Sequence, residues 1–96
     1  MNIMLGKIPI DLKKVKQENI NKEILRVAII AELDAVDLYE QLAATTDNEN
    51  IKKVLLDIAK EEKTHVGEFQ ALLLKEDEEQ VKELEEGKKE VEELTG

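Results

Sequence analysis

Two long stretches of the chain carry core-type residues at steps of three and four, the spacing that places side chains on one face of an α-helix. They run over about 19–44 and 47–74. The first stripe comprises Leu25, Ala28, Ile29, Glu32, Ala35, Val36, Tyr39 and Ala43. The second comprises Ile51, Val54, Leu55, Ile58, Glu62, His65, Val66, Phe69, Leu72 and Leu73. No strand pattern is present, so the sequence predicts an all-α fold.

A short polar break separates the two helical patterns. Thr46, followed by Glu49 three residues later, matches a capping box at the start of the second helix. A tight turn between two long helices predicts an antiparallel helical hairpin. Further apolar positions on the first helix indicate that more than one of its faces is buried (Ile24, Val27, Ala31, Leu38 and Leu42).

The composition divides the chain into three segments. Residues 1–16 form an N-terminal arm with scattered apolar positions, and residues 17–74 form the helical hairpin. Residues 75–96 carry ten acids and four lysines around a sparse apolar seam of Val81, Leu84, Val91 and Leu94. We expect a short C-terminal helix there, ordered only if something packs on it.

Charge and composition exclude several classes of function. The net charge of −9 argues against nucleic acid and anionic membranes as partners, since both require a basic face. No apolar run approaches the length of a membrane span, and we predict no signal peptide. The absence of cysteine excludes thiolate zinc sites, iron–sulfur clusters and cysteine nucleophiles.

Three residues with metal-binding chemistry interrupt the two stripes. Glu62 and His65 are three residues apart, which places a carboxylate and an imidazole on one helical face. Glu32 lies about as far before the turn as Glu62 lies after it, so the two should stand at similar height in a hairpin. A carboxylate on a buried face requires a partner or a metal ion. Each residue alone is compatible with a purely structural role, but together they predict a metal site.

The number of ligands indicates how the site is assembled. Di-iron carboxylate sites in helical bundles take four glutamates and two histidines. This chain offers Glu32, Glu62 and one histidine, His65. The site is therefore predicted to form between two chains related by a twofold axis, with two hairpins making one four-helix bundle.

Two other residues are weaker candidates for a supporting role. Tyr39 lies two turns from Glu32 on the same stripe and could hydrogen-bond a ligating carboxylate, although a core aromatic with its hydroxyl at the surface is equally compatible. Asp34 lies off the stripe and could line an iron approach path, but a solvated face fits its position better.

The stretches IIAELDAVDLYEQLA, with Glu32, and IAKEEKTHVGEFQALL, with Glu62 and His65, resemble the encapsulated ferritins, the half-length ferritin-like proteins held inside encapsulin shells. The resemblance covers about residues 8–95. It implies a ferroxidase that oxidises iron(II) to iron(III) with oxygen at a di-iron centre between two subunits. By resemblance the iron ligands are Glu32, Glu62 and His65, and Tyr39 supports them.

The same resemblance implies an assembly and a location. Family members form homodimers that close into a ring, usually a decamer, and an encapsulin shell protein stores the mineral in a cytoplasmic nanocompartment. Two iron ions per subunit pair are expected, with calcium or zinc at secondary sites. Where such members carry acids next to the ligand at the Glu32 position, this chain has Ala31 and Asp34. The family's shell-docking peptide has no counterpart after Leu94, and in some archaeal relatives the ferritin-like segment is fused to the shell protein.

Two other interpretations remain open at the level of sequence. The chain could be a non-catalytic helical assembly module that binds a structural cation. It could also be a rubrerythrin-like di-iron protein that reduces peroxide, although it lacks rubredoxin cysteines.

Overall fold

A computed structural model describes residues 11–96, and these residues are helical almost throughout. Two short 3₁₀ turns, Leu12–Lys14 and Gln17–Asn19, lead into helix α1 (Ile20–Thr45), which is followed by α2 (Glu49–Glu76) and α3 (Glu78–Thr95). No strand occurs within residues 11–96, so the predicted all-α class is confirmed. The apolar positions of the arm at 3, 5, 8 and 10 lie outside the described residues.

Helices α1 and α2 form the predicted antiparallel hairpin and pack along their length. The apolar side chains that they bury are mostly small: Ala35, Val36, Ala43, Ala59 and Leu73. Alanines at a helix contact let the two backbones approach closely, but they contribute little apolar area. No large side chain is fully buried among the described residues, so the hairpin alone encloses only a thin core.

The turn between α1 and α2 differs from the predicted capping box. Asn48, not Thr46, is the N-cap of α2, and its side-chain Oδ1 accepts hydrogen bonds from the backbone N–H groups of Asn50 and Ile51. The Thr46 hydroxyl instead accepts from the Asn48 N–H at 3.1 Å. The capping-box prediction was therefore wrong. The physical reason is that an asparagine directly before the helix reaches its first free N–H groups, while Thr46 stabilises the turn.

Helix α3 leaves the hairpin at a corner formed by Asp77, which ends α2 and caps α3. Every residue from Val81 to Gly96 is exposed, including the four members of the apolar seam. The short C-terminal helix is confirmed, but it is helical in a single chain without a partner along its length. The Asp77 cap and the Lys89–Glu86 pair at 3.8 Å both favour its helical state.

Candidate metal centre

The three predicted site residues lie near the middle of the hairpin, where α1 and α2 pass each other. Glu32 comes from α1, and Glu62 and His65 come from successive turns of α2. Both helices are long and uninterrupted at this level, so the side chains are held by regular backbone and not by a loop. Such a base fixes the relative positions of candidate ligands well.

The structure brings these three side chains together. Nδ1 of His65 lies 3.3 Å from Oε2 of Glu62 and 3.4 Å from Oε2 of Glu32. One ligand atom from each residue can be chosen so that all of them lie within 4.8 Å of one another. Among residues 11–96, this is the group of His, Asp and Glu side chains close enough to share a metal ion. The cluster of Glu32, Glu62 and His65 is called the Glu–Glu–His cluster below.

One carboxylate oxygen of the cluster lacks a hydrogen-bond donor. Oε2 of Glu32 is buried and accepts no hydrogen bond, because its 3.4 Å contact with His65 does not have hydrogen-bond geometry. In the tautomer with a proton on Nδ1, His65 has one N–H to offer on that side, and it makes the 3.3 Å contact with Glu62. A buried oxygen without a donor is costly, and either a hydrogen-bond donor or a cation would satisfy it.

The cluster is open on one side of the hairpin. The side chains of Glu32 and Glu62 are 21% and 19% exposed, whereas that of His65 is 42% exposed. Three stripe residues of α2 are at least half exposed as well: Ile51, Val54 and Leu72. Ile24 of α1 and Leu72 of α2 also line one groove of about 230 Å³, so the exposed apolar surface spans both helices. Part of the α2 stripe is therefore not covered by α1.

The two weaker candidates are placed differently. Tyr39 is half-buried on α1, two turns from Glu32 toward the loop, as its spacing predicts. Asp34 is half-buried and is not part of the Glu–Glu–His cluster. A supporting role for either residue stays a prediction.

Sequence reasoning overlooked Asp77. It was counted with the acids of the tail, but it is the buried charged residue among those described, with 8% of its surface exposed. The signal that could have revealed it is a cap: an aspartate followed by two glutamates where the apolar spacing of the second helix ends.

Comparisons with known proteins agree with this architecture. The rubrerythrin family model matches residues 23–95. The crystal structure of the encapsulated ferritin domain from Pyrococcus furiosus superposes with a TM-score of 0.82 at 56% sequence identity, covering 96% of each chain. The chain belongs to the rubrerythrin family, among the encapsulated ferritins.

Two curated relatives are longer than this ferritin-like chain. It is 66% identical over 74 residues to a ferritin-like–encapsulin shell fusion protein of Pyrococcus furiosus. The matched segment covers 77% of this chain and 21% of that protein. It is 41% identical over 56 residues to an encapsulin nanocompartment cargo protein of Myxococcus xanthus. Here the matched segment covers 58% of this chain and 43% of that protein. The chain thus spans about a fifth of the fusion protein and less than half of the cargo protein.

No helix within residues 11–96 combines the length and the apolarity that are needed to cross a bilayer.

Proposed function

We propose that this encapsulated ferritin is a ferroxidase subunit that oxidises iron(II) to iron(III) with oxygen. The observation that carries the proposal is the Glu–Glu–His cluster, in which two carboxylates and an imidazole converge from two helices. Hydrolysis by a side-chain nucleophile has no comparable support, because the sequence offers no serine–histidine–aspartate set.

The donor chemistry of the cluster suits iron. Carboxylate oxygens and a histidine nitrogen form the ligand type of non-haem iron sites, and hard oxygen donors favour the more highly charged iron(III). The buried Oε2 of Glu32 accepts no hydrogen bond and is therefore available to bind a metal ion in this cluster. A cation there would also offset the repulsion between the two neighbouring carboxylates.

The cluster of one chain is half of the proposed site. Three side chains leave a metal ion with open positions, and the His65 side chain is 42% exposed, so a further ligand can approach the cluster. The α2 stripe that carries Glu62 and His65 also includes apolar residues that a single chain leaves exposed. A second copy related by a twofold axis would cover this surface and supply the other Glu32, Glu62 and His65. We further propose that such homodimers close into a ring, with a decamer as the expected size.

Iron(II) is the substrate in this scheme. Glu32, Glu62 and His65 of the two chains would together hold a pair of iron ions. The bound pair supplies two electrons, which with two protons reduce one oxygen molecule to hydrogen peroxide. The protein's contribution is to hold two ions together and to favour iron(III) through the negative charge of its carboxylates.

The names of the relatives support a location. One relative is a fusion with an encapsulin shell and another is an encapsulin nanocompartment cargo protein. We propose that this chain also works inside an encapsulin shell in the cytoplasm, where iron(III) leaving the open ring is stored as mineral.

Oxygen uptake on addition of iron(II) tests the activity. We expect rapid uptake with the parent chain, loss of the fast phase in Glu62→Ala, and a smaller decrease in His65→Ala because water can fill one coordination position. The matched control is Glu61→Ala, since Glu61 is an exposed neighbour on the same helix. Uptake by Glu62→Ala as fast as by the parent would show that the cluster is not the site.

A second function is favoured by the match to the rubrerythrin family model. In a peroxide-reducing di-iron protein, hydrogen peroxide replaces oxygen as the oxidant of iron(II). Anaerobic mixing of the iron(II)-loaded protein with hydrogen peroxide, compared with aerobic mixing, separates the two activities. If neither oxidant reacts faster than in protein-free buffer, the chain is a non-catalytic metal-binding module.

A further inference from the structure

The corner between α2 and α3 is held by one carboxylate that contacts two helices. Oδ1 of Asp77 accepts a hydrogen bond from the backbone N–H of Gln80 at 3.1 Å, in the first turn of α3. Oδ2 of the same side chain accepts from Nη2 of Arg26 at 3.0 Å, on α1. The two oxygens therefore join the first turn of α3 to Arg26, which lies 51 residues before Asp77 in the sequence.

The Arg26 guanidinium is itself held in place. Its Nη1 donates to Oε1 of Glu23 at 2.9 Å, one turn earlier on α1, while Nη2 donates to Asp77. Because the guanidinium is planar and rigid, fixing one edge of it restricts where the other edge points. The contact is charge-assisted, and the Asp77 side chain is 10% exposed while that of Arg26 is 44% exposed, so solvent reaches the pair mainly from the guanidinium side.

Helix α3 has little else to fix its direction. Beyond Gln80, which is half-buried, every residue of the helix is exposed. A change in the backbone angles at Asp77 would thus swing the whole helix while breaking few contacts. The apolar seam of α3 would move with the helix. The direction in which the seam faces therefore depends on the backbone conformation at Asp77.

We propose that Asp77 is a positioning residue, which couples the direction of α3 to α1 through Arg26 and so makes the corner rigid. One carboxylate oxygen caps the N-terminus of α3, and the other forms an ion pair with Arg26 in the first half of α1. The coupling is independent of the Glu–Glu–His cluster, which lies on other turns of the hairpin. It fixes the direction in which the seam of Val81, Leu84, Val91 and Leu94 is presented to any partner.

Distance measurement by double electron–electron resonance tests this coupling. The chain has no cysteine, so Lys53→Cys on α2 and Lys88→Cys on α3 can carry nitroxide labels without other changes. These positions lie about 35 Å and about 17 Å from the corner along their helices, so the label separation follows the angle between α2 and α3. Metal-free labelled protein is diluted into unlabelled protein so that only distances within one chain are measured.

We expect a narrow distance distribution for the labelled parent and a clearly broader one for both Arg26→Ala and Asp77→Asn. Asparagine caps a helix as well as aspartate does, so Asp77→Asn removes the ion pair and keeps the start of α3. Lys22→Ala is the matched control, because it removes a neighbouring positive charge that makes no hydrogen bond to Asp77, and its distribution should stay narrow. Circular dichroism confirms that each variant retains its helices.

Three results would overturn the proposal. The first is a distribution that is already broad in the parent. The second is a distribution as narrow in Arg26→Ala and Asp77→Asn as in the parent. The third is broadening in only one of these two variants, since an ion pair requires both partners. None of them bears on iron oxidation, which the oxygen-uptake experiment measures separately.

Discussion

Within residues 11–96, Glu32 carries the buried side-chain oxygen that lacks a hydrogen-bond partner. Its buried Oε2 accepts no hydrogen bond, and the Glu62 carboxylate lies in the same cluster. An unsatisfied buried polar atom typically costs about 1–3 kcal/mol, and a nearby like charge adds to that cost. The sequence predicted this residue because a charged side chain interrupts an apolar stripe, but it could not show which oxygen would lack a partner.

Whether the parent or Glu32→Gln is the more stable to urea should depend on whether a metal ion is bound. Metal-free Glu32→Gln should be more stable to urea than the metal-free parent, by about 1 kcal/mol, because the charge is removed and the amide offers its own donors. With a saturating divalent ion the order should reverse, since the parent gains more binding free energy. Glu61→Gln is the control and should change little in either state. A parent that is more stable than Glu32→Gln without metal would contradict this account.

The carboxyl of Asp77 makes the stability of the fold depend on pH. The hydrogen bond from the Gln80 N–H lowers its pKa below the ordinary value; burial opposes this shift, while the hydrogen bond and charge of Arg26 and the charge of Lys22 add to it. A pKa that is lower in the folded state means stabilisation that is present above about pH 4 and lost as pH falls through the folded pKa.

Urea unfolding of the parent and Asp77→Asn at several pH values measures this contribution. The parent should be the more stable of the two at pH 7, and the difference should shrink below about pH 4 as Asp77 is protonated. A difference that is the same at pH 7 and pH 3 would show that the ionised carboxylate of Asp77 does not stabilise the fold.

At the scale of the elements, the helices were predictable and their junctions were not. The spacing of residues such as Leu25 and Ala43, or Leu55 and Leu73, specifies which faces of α1 and α2 meet, and the predicted ends agree with the structure to within about two residues. The caps at Asn48 and Asp77 depend on which of several neighbouring polar side chains reaches the free N–H groups. Composition does not decide between such neighbours, because Thr46, Asp47 and Asn48 are all capable of capping a helix.

The cap of α2 can be tested by removing its side chain. Asn48→Ala should destabilise the chain by about 1 kcal/mol, because the N–H groups of Asn50 and Ile51 lose their acceptor. Asn50→Ala makes the same chemical change inside the first turn and should be neutral or slightly stabilising, given the higher helix propensity of alanine. Equal effects of the two substitutions in thermal unfolding would rule out Asn48 as the cap.

At the scale of the whole molecule, one chain leaves surface that a partner would cover. Ile24, Ile51, Val54 and Leu72 are all at least half exposed, and three of them continue the stripe that carries Glu62 and His65. The ligand count and the wide stripe of α1 suggested a twofold assembly from sequence alone. Ring size and contacts with a shell were not predictable from the residues, because they depend on relative orientations that no spacing within one chain encodes.

Metal should promote association of two chains. Bringing two clusters together without metal places four carboxylates side by side, and each chain already carries a net charge of −9. Divalent ions compensate this charge. Native mass spectra should therefore shift from monomer to dimer or larger species when iron(II) is added anaerobically, and Glu62→Ala should shift less. A parent that stays monomeric with iron(II) would exclude a shared site.

The central claim is that two chains share one pair of iron ions, and its most direct test is the anomalous scattering of iron in crystals grown anaerobically with iron(II). We predict two peaks between a pair of chains related by a twofold axis, each bound by the carboxylates and the imidazole of Glu32, Glu62 and His65. Peaks that are bound by a single chain, or that lie away from these three residues in well-ordered crystals, would contradict the account.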